Sequence, residues 1–135
     1  MVVLRILRRL WSLFWAAPNS LIGLAIGSLG LITGGNCHRI AGVLEFYGGA
    51  VDRLLARAPL TGGAAAMALG HVVLGRDLAT LDRCRAHELV HVRQYERWGP
   101  LFLPAYFLAS FFVWLRGGHA YLDNPFEVQA YREGR

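Results

Sequence analysis

A chain of 135 residues is enough for one domain with a modest core. Hydrophobic residues make up 55% and charged residues only 17%, against about 25% charged in ordinary globular chains, so part of the surface is suited to lipid or a partner. The net charge of +5 comes from arginine alone, scattered and without interleaved aromatics; that argues against nucleic acid as a partner, and two cysteines, Cys37 and Cys84, do not make a disulfide scaffold.

Residues 1–17 read as a basic amphipathic helix, with Arg5, Arg8, Arg9 and Ser12 on one face and Leu4, Leu7, Trp11, Phe14 and Trp15 on the rest. Such a helix suits a membrane interface. No small-residue cleavage site follows, so the segment is expected to be retained and not removed as a signal peptide. Pro18-Asn19-Ser20 is expected to interrupt the helix, with Asn19 or Ser20 capping the next one. Residues 20–33 are uncharged and apolar, but fourteen helical residues cover only about 21 Å of a hydrocarbon core of about 30 Å. Counted from Leu10 to Thr33, 24 uncharged residues suffice to span if Pro18 merely kinks the helix. Gly23 and Gly27, four apart, would let a second helix approach closely. Residues 1–33 therefore stand as a membrane-associated segment ahead of a domain over 34–135.

Gly34-Gly35-Asn36 breaks the pattern. Residues 40–47 read as a strand, 50–57 as a short helix, Pro59 to Gly63 as a loop, and 65–74 as a second strand ending at Gly75. Two strands do not stand alone, so a small antiparallel sheet packed on helices is expected. Asp82 is the expected N-cap of a helix running to Trp98 and stopped by Gly99-Pro100. The apolar stretch 101–115 is short for a span and contains Pro104; it is expected to lie against the core, packed on 20–33, or to dip into one leaflet. Asn124-Pro125 opens a terminal helix, with Asn as cap and Pro at the first helical position. The fold class is α+β, mainly helical.

The chemistry lies in His87-Glu88-Leu89-Val90-His91, an HExxH string. On a helix, residues i and i+4 share a face, so both imidazoles reach one metal, while the intervening carboxylate lies close enough to act as base. Two neutral nitrogen ligands and one base are what metal-assisted hydrolysis needs. A third protein ligand is required. The HExxHxxGxxH extension fails, since Gln94 and Arg97 occupy the Gly and third His positions. The downstream candidates are Glu127, His119 and Asp123. Glu127 has a structural alternative, because Asn124-x-x-Glu127 is also a capping-box pattern.

The segment 65–131, a strand, the HExxH helix, an apolar helix and a helix opening Asn-Pro-Phe-Glu, resembles small bacterial zinc metallopeptidases of the gluzincin class. The resemblance implies a minimal zincin-like domain, zinc as cofactor, His87, His91 and Glu127 as ligands, and Glu88 as catalytic base. It departs from larger gluzincins at Tyr131, where an Asp four residues after the ligand Glu would orient a ligand His. It also implies that residues 65–74 include an edge strand that pairs with a peptide or protein substrate. His71 on that strand is read as half-buried rather than as a ligand, and Cys84 as an apolar filler. Tyr131, His119 and Tyr121 are the candidates for a second oxyanion donor. A site-2-type intramembrane protease also uses HExxH, but Arg83, Arg85, Arg93, Glu96 and Arg97 on this helix would each cost about 3 kcal/mol at the bilayer centre.

If 10–33 crosses the membrane, Arg5, Arg8 and Arg9 place the N-terminus in the cytoplasm and the catalytic domain on the exported side, in a bacterial inner membrane. The expected activity is zinc-dependent peptide-bond hydrolysis by a membrane-associated protein. The alternatives are a catalytically silent metal-binding relative and a plain membrane or interaction protein.

Overall fold

Four short strands stand where two longer ones are expected: the run 65–74 folds back at a two-residue turn, and the run 40–47 is cut by another, with a polar strand ahead of it. In the computed structural model, which describes residues Met1–Arg135, β1 (Asn36–Ile40) and β2 (Val43–Tyr47) form a hairpin through Ala41-Gly42. Both turn residues have positive φ, +50° and +81°, as a type I′ hairpin requires. A second hairpin joins β3 (Ala66–Leu69) to β4 (Val72–Gly75) through Gly70-His71. Gly70 has φ +64°, and an added Cβ there would overlap the Ser20 hydroxyl. The order is β1-β2-β4-β3. β2 and β4 pair in parallel, so the sheet is mixed and not wholly antiparallel as expected. The helix α2 (Gly49–Ala56) lies in the crossover between β2 and β3, and parallel neighbours need such a long connection.

The two faces of the sheet take different helices. The first, α1 (Val2–Ile32), is one continuous helix through Pro18, so the expected break at 18–20 does not occur. Packing on both sides holds it: Ala16 is fully buried, Trp15 lies against Gly99, and the Asn19 amide donates to the Gly99 carbonyl at 3.2 Å. Ala16, Asn19, Gly23, Gly27 and Gly30 form its buried stripe. A Cβ on Gly23 would sit 2.7 Å from Val72 Cβ, and one on Gly27 would overlap the Phe46 ring. The close approach permitted by Gly23 and Gly27 is therefore used by the sheet and not by a second membrane helix. Gly27→Val is expected to destabilise the fold by about 1–3 kcal/mol, the usual range for overpacking, read as a lower midpoint in thermal or denaturant unfolding. An unchanged midpoint would mean that α1 does not dock on the sheet.

The opposite face carries Val73, Glu45 and Ala68, which alternate with Val72, Phe46 and Leu69 along their strands. This face takes α3 (Leu78–Trp98). The helix begins five residues before the expected one, and its N-cap is Asp77, whose carboxylate accepts from Thr80 N at 2.7 Å; Asp82 lies inside. Leu81 packs where a Gly75 side chain would be. Arg85 donates through Nε and Nη2 to the fully buried Glu45 at 2.9 Å each, and His38 completes the pair at 2.6 Å. This paired charge ties α3 to the sheet. Losing one partner of a buried pair usually costs several kcal/mol.

A 3-10 turn (Gly99–Leu101) leads into α4 (Phe102–Leu115), and α5 (Pro125–Glu133) ends the chain. Asn124 caps α5 by accepting from Phe126 N at 2.9 Å, with Pro125 in the first turn, as the Asn-Pro pair predicts. Only Phe102 of α4 is buried; Phe107, Leu108, Phe111, Phe112 and Trp114 are all exposed. The helix thus projects from the core and does not pack on residues 20–33, which are occupied by the sheet. By length and composition, α1 and the contiguous stretch Leu78–Leu115 are each long and apolar enough to cross a membrane. Residues 99–124 leave α3 and return to it, however, because α5 packs back on α3.

Candidate metal centre

Spacing on α3 sorts its side chains. Leu81, Glu88, Val92 and Tyr95 turn to the sheet side, while His87, His91 and Gln94 turn towards α5. The last helix runs antiparallel across them. Gln94 meets Phe126 and Gln129 near the start of α5, and Gly134 lies against the His87 backbone at its end. That crossing brings Glu127 directly over the two histidines.

The three groups converge. His87 Nε2 is 3.1 Å from Glu127 Oε2, His91 Nε2 is 3.3 Å from Glu127 Oε1, and the two Nε2 atoms are 3.1 Å apart. Ligands held at about 2.0–2.1 Å by one tetrahedral zinc sit about 3.3 Å from each other, so these separations match the edges of such a site. Two imidazoles and one carboxylate are also a suitable donor set for zinc. His87, His91 and Glu127 form a group that could hold a metal ion.

Glu127 does not act as a capping-box residue. It is 4% exposed and receives the Tyr106 hydroxyl at 2.7 Å on Oε1. The other candidates for third ligand lie elsewhere. Asp123 accepts from the His119 backbone N–H at 2.7 Å, and His119 Nδ1 accepts from Tyr121 N and Leu122 N. Both serve the loop before α5. His71 sits in the β3–β4 turn, with Nε2 2.8 Å from Glu96, and Cys84 is outside the cluster, its thiol pushed up chiefly by burial.

Two supporting groups were not anticipated. Gln94 Oε1 accepts from His91 Nδ1 at 2.8 Å, while its Nε2 donates to the Phe126 carbonyl and to Gln129 at 3.0 Å each. Outer partners of this kind fix the tautomer and orientation of a ligating histidine. Tyr106 on α4 holds Glu127, and Asn124 ties α4 to α5 by donating to the Tyr106 carbonyl at 3.0 Å and the Ser110 hydroxyl at 2.7 Å. The visible signal was two polar tips, Tyr106 and Ser110, spaced i, i+4 in an otherwise greasy helix. Tyr131 packs its ring on His87 with centroids 4.5 Å apart, and its hydroxyl is 3.4 Å from that of Tyr121.

Glu88 lies on the sheet side of the cluster, 6% exposed, with Oε2 buried and without a hydrogen-bond partner. Desolvation raises its pKa, against the opposing pull of His91 and His87. For Glu127, burial alone would act upward, but hydrogen bonds from His87 and His91 prevail and bring it down to about 2. Burial would lower His91, yet the Glu127 hydrogen bond and the Glu88 charge raise it overall.

These shifts set a pH dependence for the metal-free protein. Glu127, depressed on folding, contributes stability above its ordinary pKa of 4.5 and loses it as pH falls towards about 2. His91, raised on folding, contributes fully below 6.5 and loses that contribution as pH rises through its higher folded pKa. Glu88, also raised, acts against stability once ionised. Chelated protein is therefore expected to melt at higher temperature near pH 5.5 than near pH 8.5, by a margin that shrinks in Glu127→Gln. Metal affinity should run the other way, since a proton on His91 competes with the ion. A margin unaffected by Glu127→Gln would contradict the coupling.

Comparison with protein-family models, curated proteins and solved structures finds no match to this chain.

Proposed function

We propose that the chain is a membrane-associated zinc peptidase with a minimal zincin-like domain, in keeping with its resemblance to the gluzincin class. The observation that carries this reading is the meeting of His87, His91 and Glu127 beside a buried carboxylate, Glu88, that has one oxygen unpartnered. A divalent ion held by the three would supply Lewis acidity, lowering the pKa of water towards neutrality and polarising a carbonyl.

The chain's own residues account for the rest. Glu88 takes a proton from the attacking water at its free oxygen and returns it to the leaving amine; burial raises its proton affinity towards the range a general base needs. Gln94 keeps His91 presenting Nε2 to the centre, and Tyr106 fixes the Glu127 carboxylate. For the substrate, β3 is the terminal strand of the sheet and packs along α3. Leu69 and Val72 flank the two-residue turn, so antiparallel alternation turns the N–H and C=O groups of Ala66 and Ala68 outward. A peptide added to this edge would pass beside Glu88, held by backbone hydrogen bonds. Tyr131, whose ring packs on His87, and Tyr121, whose hydroxyl is 3.4 Å from that of Tyr131, would be the donors to steady a developing oxyanion.

The apolar faces of α1 and α4 would seat the protein on a membrane, with α4 dipping into one leaflet. The deciding experiment is Glu88→Gln assayed for both metal and hydrolysis of an unstructured protein substrate. A purely structural metal would leave no activity to lose.

A further inference from the structure

A second cleft, on a different face of α3 from the histidines, opens between that helix and the N-terminal part of α1. Its volume is about 590 Å³, and its walls include Arg8, Arg9 and Trp11 of α1 and Arg93, Glu96 and Arg97 of α3. Four arginines thus line the cleft beside one glutamate, whose carboxylate is already engaged with His71 at 2.8 Å. Arg93 has only a 3.6 Å contact with the partly exposed Glu133, and Arg8, Arg9 and Arg97 form no ion pair within 4.0 Å of an acidic oxygen. Unpaired cations gathered from two elements separated by some eighty residues in sequence repel one another, and an anion between them would remove that penalty. Arginine forks match phosphate oxygens in pairs.

The border of the cleft is apolar. Leu7 is 55% exposed and Trp11 60%, both lining the cleft beside Arg8 and Arg9, and the exposed Phe14 follows Trp11 with ring centroids 6.1 Å apart. A soluble anion has no use for that border. An amphiphile with a phosphate head and hydrocarbon tails fits both parts, and basic pockets between helices are known to take such head groups.

We propose that this cleft binds the phosphate-bearing head group of an anionic phospholipid, whose acyl chains lie against the exposed apolar side of α1. The site is separate from the metal cluster and does not depend on zinc. It does rest on membrane association, which binding to neutral vesicles tests on its own.

The experiment is flotation of the full chain with phosphatidylcholine vesicles, with and without a minor fraction of phosphatidylglycerol. The anionic lipid is expected to raise binding about tenfold or more. Arg93→Gln with Arg97→Gln should remove most of that increment while leaving binding to neutral vesicles unchanged. Arg8→Gln with Arg9→Gln, on the other wall, should do the same, which guards against one pair merely misfolding. Arg53→Gln with Arg57→Gln, an equal loss of charge at the end of α2 and on the residue that caps it, should leave the increment intact. An equal loss in that control pair would mean diffuse surface attraction and overturn the proposal. Abolition of the increment by millimolar inorganic phosphate at constant ionic strength would assign the cleft to a soluble anion, and would overturn it equally.

Discussion

Glu88→Gln is expected to abolish measurable peptide hydrolysis while leaving the zinc content of the protein unchanged. The substitution is nearly isosteric and keeps an oxygen and a hydrogen-bonding tip in the same buried place, so the helix and its histidines are undisturbed. What it removes is the capacity to accept a proton. A positioned general base contributes about 10²–10⁴ in rate, and the fall in kcat should lie in that range or beyond, with little change in KM. Burial is also relieved, because an ionised carboxylate with an unpartnered buried oxygen is replaced by a neutral amide; Glu88→Gln should therefore be at least as stable as the parent. Kinetics with a fluorogenic peptide, paired with elemental analysis of the same sample, check the result. Full activity in the variant would remove Glu88 from the mechanism, and loss of zinc with loss of activity would make it a structural residue.

The second large effect concerns the ligands. His87→Ala, His91→Ala and Glu127→Ala each delete one corner of a cluster whose neighbouring donor atoms are 3.1–3.3 Å apart. If the three hold the ion, His119 and Asp123 are poorly placed to replace a lost one, since both are engaged with the backbone of their own loop. Zinc affinity should fall more than a hundredfold in each. Gln94→Leu leaves all three corners but frees His91 Nδ1, and should cost the 10–100-fold typical of an outer partner. Tyr106→Phe, which removes the hydroxyl bonded to Glu127, belongs with Gln94→Leu. Competition against a chromophoric chelator gives the order directly. A Glu127→Ala protein with parental affinity would show that the third corner is supplied by another group.

Much of the site is visible in sequence because it depends on local rules. His87 and His91 share a face by helical spacing alone, and Asn124-Pro125 announces both the cap and the start of α5. The position of Glu127 above the histidines is different in kind. It depends on α5 crossing α3 antiparallel, and nothing local separates a carboxylate aimed at a neighbouring helix from one that caps its own. Gln94 has no local signature beyond standing where the longer motif has Gly, since its work is done in tertiary contacts with His91, Phe126 and Gln129.

The strands are hard to read from sequence for a related reason. Ala41-Gly42 and Gly70-His71 lack the Asn or Asp that usually marks a tight hairpin; apolar residues continue on both sides of the second, and the strand before the first, Asn-Cys-His-Arg-Ile, has no apolar run. The parallel pairing of β2 with β4 then follows from a crossover through α2 that no short window contains. Pro18 misled in the opposite direction. Its local preference for a break is overridden by Trp15, Ala16 and Asn19 packing on the turn at Gly99. Gly23 and Gly27 were correctly marked as a place of close approach, but the partner is Val72 and Phe46 of the sheet.

Zinc content measured beside a ligand variant tests the central claim most directly. Elemental analysis of wild type and His91→Ala, purified in parallel without chelator and dialysed against trace zinc, should give about one ion per chain in the first and almost none in the second. Equal zinc in the two proteins, or a wild type that stays empty after loading, would contradict it.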